Sequence, residues 1–349
     1  MSGTSLDGLD IALCEFKESE NGYEYQILDA ETIPYTEIQR SKLKNCPQSS
    51  ALEFAKLNQK FGKFIGKSVV TFLNKNKLKA DAIASHGHTI FHQPGFGFTT
   101  QIGCGATIAA STDLTTVCNF RSLDVALNGQ GAPLVPIGDK LLFGNHSACL
   151  NLGGIANISF DDEKNKRIAF DICVCNIVLN HLANLKELPY DANGDLANSG
   201  KIDKDLLQIL NSLDYYKNTR NKSLGYEWFE TNFLNLINSS KNKSIEDLLA
   251  TFTDHAAFQI ANVLNQNKIK SVLVTGGGAF NKHLITLIKQ KASAEIIIPD
   301  DKITNFKEAL IFAFLGYLRL NKKTNTLASV TGAKQNSIGG AVYLMNPIN

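Results

Sequence analysis

Apolar and polar positions fall into short blocks along this chain. Leu9–Phe16 is an apolar run behind a Gly/Ser/Asp turn, and Tyr23–Ala30 follows an Asn-Gly pair with β-prone residues, so the two predict a hairpin. Across Ser50–Lys75 the residues Leu52, Ala55, Phe61, Phe64 and Ile65 recur every three or four positions, the spacing of one helix face. Asp81–Ser85 predicts a brief strand ending at His86-Gly87-His88. Cys149–Leu152 and Asn157–Phe160 flank a Gly-Gly turn and predict two more strands. Lys270–Val274 predicts a buried strand running into Gly276-Gly277-Gly278, with a helix starting near Asn281. Ile296–Pro299 is another short strand and Ala309–Leu320 an apolar helix. Hairpins come first, then strand and helix alternate twice, which points to α/β layers and is compatible with two similar halves. Regular structure breaks at Asn128-Gly-Gln-Gly-Ala-Pro133, which sets a boundary near Arg121–Gly131.

At 349 residues the chain is long for one core and fits two domains. Apolar residues make up 44% and charged ones 19%, a globular balance. A net charge of +2 gives no reason to expect nucleic acid or a membrane surface as partner. The Lys/Asn stretches at 74–79 and 239–244 read as solvated loops or helix ends. Seven unevenly spaced cysteines read as reduced thiols. No basic and apolar leader opens the sequence and no apolar run is long enough for a bilayer, so a cytoplasmic location is expected.

Three glycine-rich turns could carry chemistry. In Ser2-Gly3-Thr4-Ser5-Leu6-Asp7-Gly8-Leu9-Asp10, glycines and hydroxyls would leave backbone N–H groups free for phosphate, and Asp7 and Asp10 could hold Mg²⁺ through water. Gly153-Gly154, between Asn151 and Asn157, would form a second cradle. Gly276-Gly277-Gly278, ahead of Asn281, places orphan amides at a helix N-terminus. An ordinary hairpin or strand-to-helix turn would look the same in each case; one phosphate donor clasped between two domains would use all three. Asp171, after the apolar Ile168-Ala-Phe170, could serve as a general base or as the cap of a helix over Cys173–Leu182. His86, His88 and His92 suit hydrogen bonding to substrate or backbone better than zinc, and Cys173 and Cys175 suit packing.

Taken in order, the motifs resemble those of the anhydro-N-acetylmuramic acid kinase family over almost the full length. They are Met1-Ser-Gly-Thr-Ser-Leu-Asp-Gly8, His86-Gly87 with Thr89, and Asn119-Phe-Arg121 leading through Asp124 to Gly129-Gln-Gly-Ala-Pro-Leu-Val-Pro136. Leu152-Gly-Gly-Ile-Ala-Asn157, Asp171, Gly276-Gly-Gly-Ala-Phe-Asn281, Glu308-Ala309 and Ser329-Val-Thr-Gly-Ala333 follow. The resemblance implies a two-domain actin-like ATPase (ribonuclease H-like) α/β fold with ATP and Mg²⁺ in the cleft between domains. One domain would be 1–124 with 328–349, the other 125–327. It implies a substrate, 1,6-anhydro-N-acetylmuramic acid, whose ring is opened by water while O6 takes the γ-phosphoryl group, with Asp171 as base. Ser2, Gly3, Thr4, Ser5, Asp7, Gly8, Asp10, Gly153, Gly154, Asn157, Gly276, Gly277, Gly278 and Asn281 would hold the nucleotide, and Asp7 the Mg²⁺. His86, Arg121, Asp124, Gln130 and Glu308 would stand on the sugar side. A homodimer is implied, as is an apolar strand ahead of the Ser-Gly-Thr motif, whereas this sequence opens inside that motif.

The chain departs from the family pattern beside the base. Where Thr-Gly-Pro-Gly usually separates Asp from Asn, this chain has Ile172-Cys-Val-Cys175 before Asn176. The usual Ser-Thr-Gly-Arg-Glu reads Ser223-Leu-Gly-Tyr-Glu227, Cys104 and Asn119 replace aspartates, and His88 replaces a glutamine. These changes leave two alternatives open: a kinase for another amino sugar, and a weak homologue that binds sugar or nucleotide as a sensor.

Overall fold

The computed structural model describes residues 1–3, 6–20, 22–218, 222–240 and 242–345; Thr4 and Ser5 of the first turn lie outside the described residues. The strands are β1 Gly8–Ser19, β2 Gly22–Pro34, β3 Ala82–Ser85, β4 His88–Gln93, β5 Phe98–Ile102, β6 Thr115–Cys118, β7 Ala148–Leu152, β8 Ile155–Asp161, β9 Arg167–Val174, β10 Ser271–Thr275, β11 Glu295–Ile297 and β12 Ala341–Tyr343. The helices used below are α1 Ala51–Asn76, α2 Gly105–Thr112, α3 Asn176–Asn184, α4 Ile245–Gln266, α5 Lys282–Lys291 and α6 Asp301–Leu320. The chain forms two compact units, 1–142 with 306–349, and 143–305.

In the first unit β1 and β2 form the expected antiparallel hairpin, β12, β6 and β3 form a separate three-stranded sheet, and β4 and β5 a second hairpin. Ser50 caps α1 by accepting from the Glu53 amide, and Phe61, Ile65 and Phe72 form its buried stripe. Leu52, expected on that stripe, is exposed. Gly62 and Gly66 let α1 approach α2: a Cβ on Gly66 would lie 2.7 Å from the Ser111 Cβ. A cavity of about 540 Å³ is walled by consecutive residues of β1 and β3, with Phe72 and Phe312 among its apolar lining.

The second unit is built on the sheet β11-β10-β7-β8-β9, in which β7, β10 and β11 run parallel and β8 and β9 are antiparallel additions. Leu150, Leu152, Ile158, Phe170, Val272 and Val274 pack against Ala256, Ile260 and Leu264 of α4. Almost every position of α4 is buried from Leu248 to Leu264, which is why no amphipathic stripe marked it in the sequence. The sheet register sets Thr275, Asn151, Asn157 and Asp171 directly opposite one another on four neighbouring strands, a polar row crossing an apolar sheet.

Candidate active site

In the second unit Gly276, Gly277 and Gly278 follow Thr275 of this row, Gly153 and Gly154 turn between β7 and β8, Asn157 and Asp171 stand in the row itself, and Asn281 leads into α5. Gly276 adopts φ +85° and presses against β7: a Cβ there would meet the Asn151 Oδ1 at 2.5 Å and the Leu152 carbonyl at 3.0 Å. Asn176, first residue of α3, locks the neighbouring turn. Its Nδ2 donates to the Leu152 carbonyl at 2.9 Å, and its amide donates to Gly153. The Gly154 carbonyl accepts from the Cys175 and Ile177 amides. The carbonyls of the Gly153-Gly154 turn are therefore used by the fold. Its two amides, and those of Gly277 and Gly278, have no acceptor among the described residues. Unpaired N–H groups on adjoining glycine turns make a concavity suited to an anion. Asn281 sits beside them, but its Oδ1 accepts from the Leu284 amide at 2.9 Å as the cap of α5.

Asp171 lies inside β9, three residues before its end, and not at a helix N-terminus; α3 begins at Asn176, so the capping role is excluded. Its Oδ2 accepts from the Leu224 amide at 2.9 Å and from the Ser223 hydroxyl at 3.1 Å. Its backbone is held as well, by the Tyr215 hydroxyl on its carbonyl at 2.7 Å and by its amide donating to the Lys222 carbonyl. Oδ1 has no donor among the described residues. Burial raises the Asp171 carboxyl above the ordinary range, while the Leu224 amide and the Ser223 hydroxyl pull the other way. The residues that depart from the family pattern, Ile172, Cys173, Val174 and Cys175, are all fully buried in the packed interior. The two cysteines are packing thiols, as expected, with burial raising both thiols.

In the first unit the sequence-predicted residues form a second cluster. The Arg121 Nε donates to the His86 Nε2 at 3.0 Å and its Nη1 to the Gly131 carbonyl at 2.7 Å. His86 Nδ1 in turn donates to the Gly87 carbonyl at 3.0 Å. Burial first, then the Arg121 charge, holds this imidazole neutral, which agrees with Nε2 acting as acceptor. Asp124 is fully buried, with Oδ2 accepting from the Gly131 amide at 2.8 Å and Oδ1 from the Thr331 hydroxyl at 2.7 Å. Its carboxylate holds the loop that presents Gln130, whose side chain is exposed and whose amide donates to the Thr331 carbonyl. Glu308 is open to solvent on α6, yet ringed by enough protein for desolvation to raise its carboxyl against the pull of Arg121.

The Ser2–Asp10 turn shows a similar economy. The Tyr35 hydroxyl donates to the Ser2 Oγ at 2.7 Å, and Ser2 reaches the His88 Nδ1 at 2.9 Å, so the Ser2 hydroxyl is taken up inside the unit. Asp7 Oδ1 accepts from the Gly8 amide, and Asp10 Oδ1 from Thr32 at 2.6 Å. Burial raises the Asp10 carboxyl, and the nearby Asp7 charge adds to the rise. Two hard carboxylates that repel one another fit a divalent cation held directly or through water. Sequence reasoning missed Tyr215 and Lys222; Asn176, Ser223 and Leu224 were visible only as parts of altered motifs.

Comparison with known proteins accords with these motifs. The family model for anhydro-N-acetylmuramic acid kinase matches residues 1–345. A protein of Francisella tularensis subsp. novicida named anhydro-N-acetylmuramic acid kinase is 37% identical over 369 residues, covering 98% of this chain and 97% of its own length. A Coxiella burnetii protein of the same name is 36% identical over 98% of this chain and 96% of its own. Among solved structures, the activator of a 2-hydroxyisocaproyl-CoA dehydratase with bound ADPNP aligns at a TM-score of 0.43 and 13% identity, covering 89% of this chain and 97% of that one, a likeness too distant to build on. With a full-length family model and relatives above one-third identity behind the ordered motifs, this chain belongs to the anhydro-N-acetylmuramic acid kinase family.

Proposed function

We propose that this protein is an ATP-dependent kinase that converts 1,6-anhydro-N-acetylmuramic acid to N-acetylmuramic acid 6-phosphate, opening the anhydro ring with water. The observation that carries the reading is Asp171, clamped at one carboxylate oxygen and open at the other, on the same sheet end as a cradle of unpaired glycine amides. Phosphoryl transfer asks mainly for positioning and for donors on the phosphate oxygens. The amides of Gly153, Gly154, Gly277 and Gly278 supply fixed donors. Asp171 accepts a proton from water as the water oxygen bonds to the anomeric carbon. The bond from that carbon to O6 breaks, O6 bonds to the γ-phosphorus, and ADP departs; the proton on Asp171 then returns to solvent. Mg²⁺, when bound, would neutralise phosphate charge, and Asp7 and Asp10 are the residues that would hold it.

On the sugar side, Arg121, neutral His86, exposed Gln130 and Glu308 are proposed to contact the acceptor, with Asp124 supporting them through the loop it holds. No helix among the described residues is long and apolar enough to cross a membrane. A cytoplasmic location and a homodimer complete the reading, the latter to be tested by light scattering. The decisive experiment is incubation with ATP, Mg²⁺ and the anhydro sugar in H₂¹⁸O, followed by mass spectrometry. The product should gain one water and one phosphoryl group, with the label at the anomeric hydroxyl. Transfer without ring opening, or transfer only to another amino sugar in a panel, would overturn the reading.

A further inference from the structure

Asp171 is held by Tyr215 and by Lys222, Ser223 and Leu224, and these residues determine which carboxylate oxygen can work. Tyr215 and Lys222 fix its backbone from the carbonyl and amide sides. The Lys222 Nζ lies 4.4 Å from the centre of the Tyr215 ring, with Tyr216 and Phe170 also near, so the lysine pins its stretch of chain to the strand through its own side chain. Immediately after it, Ser223 and the Leu224 amide both donate to Oδ2. Two donors on one oxygen stabilise charge there and fix the plane of the carboxylate. No group among the described residues donates to Oδ1.

We infer that Ser223 is a positioning residue for the base: with the Leu224 amide it occupies Oδ2 and leaves Oδ1 to receive the proton from water. The inference rests on the reading of Asp171 as base. The amide is fixed by the backbone of a buried residue, whereas Ser223 is exposed, so its hydroxyl works in competition with solvent and its share is the smaller one. The retained serine of the altered Ser223-Leu-Gly-Tyr-Glu227 motif thereby acquires a role that does not depend on the residues replaced after it. The other titratable groups facing Asp171 are Tyr215 and Cys173, both pushed up by burial and neutral near pH 7, and Lys222, lowered by burial. None of these three takes up a proton in the acidic range, so an acid limb that moves when Ser223 is changed belongs to Asp171.

The test is the pH profile of kcat and kcat/KM for Ser223→Ala and Ser223→Thr, each checked for an unchanged melting temperature. Ser223→Ala should lower kcat roughly 3- to 10-fold with little change in KM for the sugar, and move the acid limb to higher pH, because one donor that holds the carboxyl down is gone. Ser223→Thr, which keeps the hydroxyl, should restore both. In an Asp171→Asn background, Ser223→Ala should have no further effect. A normally folded Ser223→Ala with wild-type kcat and limb, while Asp171→Asn is inactive, overturns the positioning role alone. Asp171→Asn at near-normal rate overturns the base itself, so the two failures are distinguishable.

Discussion

The two units handle polar groups in opposite ways. In the unit spanning 143–305, four glycine amides and one carboxylate oxygen have no partner among the described residues. In the other unit, Asp124, Arg121, His86 and Ser2 are threaded into one another and into the backbone, with few donors or acceptors to spare. Open groups in a rigid frame are available to a ligand; saturated ones hold a shape. Asp124 and Ser2 thus hold the fold of their own unit, which also fixes Arg121 and His86. An unpaired amide is no defect in such a setting, since a phosphate oxygen can replace the missing acceptor.

That division can be broken most directly at Asp171. Asp171→Asn should retain ATP binding and lose activity by roughly 10²–10⁴-fold, the usual weight of general base catalysis, measured as kcat beside ATP affinity. Near-normal turnover would move Asp171 into the shape-holding class. Because burial raises this carboxyl, the wild-type acid limb should lie above the ordinary aspartate value of about 3.9. Activity is lost as pH falls through it, since a protonated base accepts nothing. Next in size, Asp124→Ala should leave the Gly131 amide and the Thr331 hydroxyl without their acceptor and lower stability by roughly 2–4 kcal/mol, read by denaturant unfolding. Full activity in whatever folds would confirm it as a holder.

Gly277→Ala should act on ATP alone. Its Cβ has no neighbour nearer than the Asn176 Nδ2 at 3.9 Å, so the fold tolerates it, but the methyl narrows the cradle. A rise of about tenfold in KM for ATP, about 1.4 kcal/mol, is expected without a change in melting temperature. Gly278→Ala, whose Cβ would sit 2.7 Å from the Leu152 Cβ, should cost stability as well. The smallest effect should come from Cys175→Ala: about 1 kcal/mol of stability and activity within about twofold, because the thiol faces packed interior. A changed sugar preference in that variant would show that the altered residues after Asp171 do reach substrate.

The sequence showed the glycine turns because unusual backbone demands leave a residue-level mark: Gly276 must adopt positive φ against β7. It showed the opening hairpin and α1 because their periodicity is local. It could not show that Asp124 is met by Thr331, a partner 207 residues away, nor that β9 runs on through Val174 instead of yielding to a helix at Cys173. The segment Ile172–Cys175 is apolar and β-branched in part, and a strand and a buried helix start look alike over so few residues. The hairpin of β4 and β5, turned at Pro94, was also hidden, since polar His88, Thr89 and His92 interrupt its apolar alternation.

Between Ala156 and Asn157 the ladder slips. Ala156 stands opposite Cys173 and Asn157 opposite Asp171, so Ile172 is one residue too many on β9. The extra residue lets Ile172 and Cys173 both be buried while Asp171 stays opposite Asn157 on the polar row. What this segment keeps in common with the family pattern is its length. Ile-Cys-Val-Cys shares no letter with the Thr-Gly-Pro-Gly of the family pattern, yet both place four residues between Asp171 and Asn176. Measured by identity the segment looks lost; measured by length it has not changed, and that length carries the chain from Asp171 to the Asn176 that locks the glycine turn.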